Sequence, residues 1–279
     1  MPTIAINGCE LYYEDSGPAR NQPDETIVFS HGLLMNGDMF AAQVHALREH
    51  YRCITYDHRG QGRSAESTLR CIDMETVAAD AVALIEKLGV GPVHFCGLSM
   101  GGFAAMRLAL RRPELLRSII LMNTTAEPEP IETITRYRIM NWAARLFGVR
   151  AVLSRVTPIM FGHSFLHMPG RDAERAVGRA MLLQNRRSVW RAVNGVIERE
   201  SLEQDIKQIN LPTLVLVGTE DVAIDAAHSE PLAQHIPNAK LIRIAHAGHS
   251  SSLEEPAAVT AAIADFLTAL KQSEKQYAI

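Results

Sequence analysis

Short apolar runs alternate with longer stretches of helical periodicity along most of this chain. Thr26 to Ser30, Arg52 to Tyr56, Val93 to Cys96 and Arg117 to Met122 are runs of the first kind, the form taken by strands buried on both faces of a sheet. Between them, Asp38 to Arg48 sets Phe40, Val44 and Leu47 on one helical face. Met74 to Leu88 does the same with Val77, Ala81, Leu84, Ile85 and Leu88, and Gly89 and Gly91 end it. A third helix follows the Val93 run, reaches Arg112 and stops at Pro113. At the front, Thr3 to Ile6 and Glu10 to Tyr13 flank Asn7-Gly8, a strong hairpin signal. Gly17, Pro18 and Pro23 then mark a surface loop.

The pattern changes from about Thr125 to Gln208, where no strand is evident. Apolar residues recur there at helical spacing, around Ile131 to Phe147, Arg171 to Leu183 and Ser188 to Ile197. Alternation resumes with a strand over Leu211 to Gly218, a helix near Ala226 to His235, a strand at Lys240 to Ile244 and a closing helix from Glu255 to Leu270. This predicts an α/β fold of about eight mostly parallel strands, the first antiparallel, flanked by helices. Residues 1–124 and 209–279 would form the core domain, and residues 125–208 a helical cap.

Composition narrows the class. A chain of 279 residues, 47% hydrophobic and 21% charged, suits one large α/β domain with an insertion, and a formal charge of −3 gives no global reason to expect nucleic acid. Cys9, Cys53, Cys71 and Cys96 lack metal or Cys-x-x-Cys spacing and read as thiols of a reducing compartment. No basic stretch followed by an apolar one opens the sequence, and no apolar run nears the ~20 residues of a membrane span. A soluble, cytoplasmic protein is expected.

Gly97-Leu98-Ser99-Met100-Gly101 joins the Val93 strand to the helix behind it. A nucleophile needs exposure and a fixed direction. A sharp strand–turn–helix supplies both but crowds the backbone, so small residues must flank the serine, and Gly97 and Gly101 do. The helix also aims its N-terminus at the site, where negative charge is favoured. His31-Gly32-Leu33 follows the Thr26 strand. Gly32 lets that loop turn so that Leu33 N–H can face the site, with Met100 N–H as a second donor to a developing oxyanion. Such donors are worth roughly 3 kcal/mol each in comparable sites. The His31 side chain itself reads as loop packing. Asp57-His58-Arg59-Gly60-Gln61-Gly62-Arg63-Ser64 is basic and glycine-punctuated but lacks a phosphate-loop pattern, and reads as structural.

A serine hydroxyl needs a base, and the base needs a buried carboxylate to fix its tautomer. Gly218-Thr219-Glu220-Asp221 and Ala245-His246-Ala247-Gly248-His249 end the last two strands, at the carboxyl edge where sites of open α/β sheets gather. Asp221 is the expected acid and His249 the expected base. Glu220 or Asp225, and His246, are the alternatives. No third ligand accompanies His246 and His249, so no metal is expected.

These motifs together, with Pro212 to Asp221 and Ala247-Gly248-His249 at the end, resemble the α/β-hydrolase superfamily over nearly the whole chain. Matched one by one, the resemblance implies Ser99 as nucleophile, Asp221 as acid, His249 as base, and Leu33 and Met100 as oxyanion donors. Asn123, after the sixth strand, is not acidic, against the family variant with its acid there. Dehalogenases and epoxide hydrolases of this fold carry Asp where Ser99 stands. The wording of the motifs is most similar to the 3-oxoadipate enol-lactonase-like branch. That implies a serine hydrolase cleaving a carboxylic ester or lactone through an acyl-enzyme, without a cofactor, its partner a small-molecule substrate rather than nucleic acid or membrane. A perhydrolase or C–C bond hydrolase would use the same triad. From another class, a slow-turnover ligand receptor of this fold would keep it too.

The insertion adds a charge asymmetry. Residues 131–199 hold twelve Arg, no Lys and only Glu132, Asp172, Glu174 and Glu198, a formal +8. Such a lid could steer an anionic substrate, or its arginines could lie on solvated faces. Trp142 and Trp190 are candidate pocket residues, with Phe147, Phe161 and Phe165 as further candidates or cap core. Both small anionic and apolar substrates fit this composition.

Overall fold

The computed structural model describes residues 2–19 and 25–277. The chain opens with β1 (Thr3–Ile6) and β2 (Cys9–Asp15). Asn7 and Gly8 between them both take positive φ, as the two-residue hairpin turn requires. Gly17 and Pro18 of the following loop are described, whereas Pro23 lies outside the described residues. Then come β3 (Thr26–Ser30), α1 (Ala41–Leu47), β4 (Arg52–Tyr56), α2 (Met74–Leu88), β5 (Val93–Leu98), α3 (Met100–Arg111) and β6 (Leu116–Met122). The insertion contributes α4 (Ile131–Phe147), α5 (Leu153–Met160), α6 (His163–His167), α7 (Asp172–Gln184) and α8 (Trp190–Ile197). The alternation resumes as β7 (Thr213–Gly218), α9 (Ala226–His235), β8 (Ala239–Ile244), α10 (Ser251–Glu254) and α11 (Pro256–Tyr277).

Local chemistry sets most of these limits. The expected helix from Asp38 begins instead as a tight turn over Gly37–Phe40, because Asn36 Oδ1 takes the Asp38 N–H at 3.0 Å and caps it. Asp73 caps α2 by accepting the Thr76 N–H at 2.7 Å, and Gly89, left-handed at φ 62°, ends it. Two helices of the insertion, α5 and α6, escape the periodicity reading. The first carries Pro158 within it and the second is only five residues long.

The eight strands form one sheet in the order β1-β2-β4-β3-β5-β6-β7-β8. The strand that runs against the rest is the second, not the first as expected. β2 pairs antiparallel with both β1 and β4, so the hairpin returns β1 to the common direction at the sheet edge. The pairs from β4 through β8 are all parallel. Every residue of β3, β5 and β7 is buried, as a parallel sheet covered on both faces requires. Val28, Phe95 and Val215 face a core shared with α2, α3 and α9. Ile27, Phe29, Cys96 and Leu216 face the other way, toward α1 and α11, in a core that continues into the insertion. The carboxyl ends of β3, β5, β7 and β8 therefore meet beneath the inserted helices.

Candidate active site

Ser99 sits between β5 and α3 at φ 52° and ψ −110°, a left-handed region that costs a non-glycine residue about 1–3 kcal/mol. Three backbone-directed bonds hold it there. Its N–H donates to the Met122 carbonyl at 2.8 Å, and its carbonyl accepts the Thr124 hydroxyl at 2.9 Å and the Phe103 N–H at 3.0 Å. The flanking glycines are sterically enforced. A β-carbon at Gly97 would meet the Gly101 carbonyl, and one at Gly101 would meet the Ser30 carbonyl.

His249 follows β8 and faces Asp221 from the loop after β7. Its Nδ1 lies 2.9 Å from Asp221 Oδ2 and 3.1 Å from Oδ1. The Asp221 oxygens also accept the N–H groups of Ala223 and Ile224, at 2.9 and 3.0 Å, and Asn123 Nδ2 at 2.9 Å. All of these partners are donors, as an acceptor-only carboxylate needs. Burial works against a charge on His249, but the Asp221 carboxylate outweighs it, with help from Glu254 and Glu129, and holds the imidazole above its ordinary range. The alternative groups are placed elsewhere. Glu220 accepts the Ser164 N–H and hydroxyl, Asp225 caps α9, and the His246 side chain is exposed.

The loop after β3 is braced around His31. The His58 N–H donates to His31 Nε2 at 2.8 Å, so Nδ1 carries the proton and donates to the Gly32 carbonyl at 2.7 Å. Burial holds this imidazole below its ordinary range, in the neutral form that the pair of bonds requires. In a trans peptide the Gly32 carbonyl and Leu33 N–H point in opposite directions. The bond from His31 therefore turns the Leu33 N–H the other way, while the Leu34 N–H is committed to Gln61 Oε1 at 2.8 Å. A β-carbon at Gly32 would lie 3.5 Å from Ser99 Cβ, so this loop rests against the serine turn. Met100 N–H opens α3, where the helix offers it no acceptor. The Asp57 loop braces its surroundings: Asp57 accepts the N–H groups of Gly37 and Arg63 at 2.8 and 2.7 Å.

Ser99, His249 and Leu33 share one cavity of about 130 Å³ with the inserted helices. Val149, Val152 and Val156 line one side, and Val189, Val193 and Val196 another. Trp142 and Trp190, expected as pocket residues, are not among its lining. Trp142 is 61% exposed on the outer face of α4, and Trp190 is sandwiched against Arg145 and Arg191. Phe147 is also exposed, whereas Phe161 and Phe165 stack on each other in the buried interior of the insertion. The valines went unsingled in the sequence, although their spacing of three or four residues is a legible helical stripe.

Glu254 escapes sequence reasoning altogether, and the bonding roles of Asn123 and Glu220 escape it too. Asn123, at φ 47°, links Asp221 Oδ2 to the Gly248 carbonyl and accepts the Ser251 hydroxyl at 2.6 Å. Glu254 accepts the N–H groups on both sides of His249, from Gly248 at 2.8 Å and Ser250 at 2.9 Å, and also that of Gly162 in the insertion at 2.8 Å. Glu220 holds Ser164 as described. The segment before and into α6 is thus tied to the loops that carry Asp221 and His249.

A model of the α/β-hydrolase fold family matches residues 25–256. The chain belongs to that family. Among curated members, "Putative carbamate hydrolase RutD" of Caulobacter sp. (strain K31) is 30% identical over 96% of this chain and 98% of its own. Among solved structures, the enol-lactonase from Burkholderia xenovorans LB400 superposes with a TM-score of 0.87 at 30% identity, covering 96% of this chain and 100% of that one. The thermophilic esterase from Thermogutta terrifontis gives 0.86 at 29% identity, covering 96% and 97%. The chain has an eight-stranded, mostly parallel sheet with a helical insertion. Among its described residues no helix is long and apolar enough to cross a membrane.

Proposed function

We propose that this protein is a serine hydrolase of carboxylic esters or lactones. The observation that carries the reading is the meeting, in one cavity, of a serine on a left-handed turn with a histidine whose Nδ1 is bound to a buried carboxylate. With Nδ1–H given to Asp221, Nε2 is the nitrogen that takes the Ser99 proton. The Ser99 oxygen attacks the substrate carbonyl, and the Leu33 and Met100 N–H groups hold the resulting oxyanion. Collapse expels the alcohol, which receives the proton from His249. A water deprotonated by His249 then cleaves the acyl-enzyme, and Asp221 stabilises the imidazolium in both halves. The scheme uses only the chain's own residues and water. The enol-lactonase and esterase neighbours support this chemistry for esters and lactones. The carbamate hydrolase relative adds a carbamate to the panel worth assaying.

Initial rates on p-nitrophenyl acetate for wild type and Ser99→Ala test it. The variant should lose on the order of 10⁶ in kcat, as other serine triads do. Near-normal turnover in the variant would sink the assignment, and failure of the wild type to turn over any ester would favour a ligand receptor.

A further inference from the structure

We infer that the substrate is an uncharged ester or lactone whose part beyond the scissile carbonyl is a compact aliphatic group. This rests on the hydrolase reading above and specifies its substrate class. It runs against the anionic substrate that the charge of the insertion permits.

The walls supply the first argument. Val149, Val152 and Val156, spaced by three and four residues, come from the segment entering and forming α5. Val189, Val193 and Val196, spaced by four and three, come from the start and body of α8. Two β-branched stripes thus bound the cavity. Stiff side chains of this kind make a wall of fixed shape that favours apolar contact. The volume of about 130 Å³ is close to the roughly 150 Å³ that accommodates benzene in an apolar cavity, room for a compact group of about that size.

The charges supply the second. Eight of the twelve arginines of residues 131–199 are exposed. Among the described residues lining the cavity, Arg199 is the only Arg or Lys, and its side chain is 3% exposed. Its Nε and Nη1 are already committed, and its charge is balanced by Glu129. Nε donates to the Glu127 carbonyl at 2.9 Å, and Nη1 to Glu129 Oε2 at 2.6 Å and the Val196 carbonyl at 3.0 Å, with Phe103 beneath it. Glu129, which also lines the cavity, accepts the Thr133 hydroxyl with its other oxygen. The pair therefore brings no net charge. Asn141 turns its amide N–H groups to Asn194 Oδ1 and the Trp190 carbonyl, at 2.7 and 3.0 Å, and its own oxygen has no donor. A substrate carboxylate would be buried facing Glu129 with no unbalanced cation, an arrangement that buried ions do not tolerate.

The test is a matched pair: p-nitrophenyl hexanoate and the mono-p-nitrophenyl ester of adipic acid, which ends the same six-carbon chain in a carboxylate. Both are run beside p-nitrophenyl acetate on wild type and Ser99→Ala. Hexanoate should exceed adipate in kcat/KM by at least about a hundredfold, the scale set by an unpaired buried ion. Glu129→Gln, which leaves the Arg199 charge unbalanced, should narrow that ratio about tenfold or more. Ser99-dependent turnover in which adipate equals or beats hexanoate would overturn the inference and leave the hydrolase reading intact. Absence of Ser99-dependent turnover of acetate, which carries neither chain nor charge, would instead bring down the hydrolase reading and the inference with it.

Discussion

The two sides of the cavity are built on different principles. On the sheet side, each polar group is held by several directed bonds at a strand end: Ser99 by its own backbone, Asp221 by two N–H groups and Asn123, and His249 by Asp221 and by the Glu254 bonds to its neighbours. On the insertion side, apolar side chains predominate, six of them valines from two helical segments, beside the Arg199–Glu129 pair and Asn141. Directed bonds are lost whole when one partner goes, whereas apolar contact is lost in proportion to the area removed. A single change should therefore be far costlier on the first side than on the second.

The largest contrast expected is at Asp221. Asp221→Asn preserves volume but removes the charge that fixes the His249 tautomer, and should lower kcat by on the order of 10⁴. The same variant sharpens the electrostatic account. Activity requires neutral His249, so kcat/KM falls as pH drops through the imidazole pKa, which Asp221 raises above its ordinary 6.5. A pH–rate profile should place the wild-type acid limb above that value and the residual limb of the variant below the wild-type one. An unmoved limb would remove Asp221 as the cause.

On the other side, Val193→Ala removes two methyl groups from one of six lining valines. Its kcat/KM on the hexanoate ester should fall about tenfold, mainly through KM. A loss as deep as that of Asp221→Asn would abolish the distinction between the two sides.

The smallest effect concerns the tie between them. Burial pushes the Glu254 carboxyl up to about 7, against three N–H donors that favour its charge. A carboxyl that holds its proton more tightly folded than unfolded makes stability fall as pH rises from its ordinary 4.5 to about 7. Glu254→Gln cannot titrate and should flatten that decline in thermal melts taken on either side of the window.

Much of the sheet side is legible as local sequence. Asn7-Gly8 forms its hairpin, and Gly97 and Gly101 are needed because any β-carbon there meets a carbonyl. Asp221 and His249 stand three and five residues after the ends of β7 and β8, so their place follows from the strand ends. The insertion is less legible. Its helices α4, α7 and α8 are readable as helices, but Trp142 points outward and Val156 inward for reasons no periodicity contains. A helix carries apolar residues on more than one side, and the side that is buried depends on what lies beside it. The bonds from Glu220 to Ser164 and from Glu254 to Gly162 join residues 56 and 92 positions apart, a pairing that only the fold creates.

The sequence by itself determined the alternation of strand and helix, the turn that carries Ser99, and the order in which serine, acid and base arrive at the carboxyl edge of the sheet. Those features rest on backbone geometry and on side-chain patterns a few residues long. Only the tertiary structure decided the direction of β2, the valine walls of the cavity, and the neutralisation of Arg199 by Glu129. Each of these is a relation between segments distant in the chain, and its energy depends on distance and burial, which arise only when those segments meet.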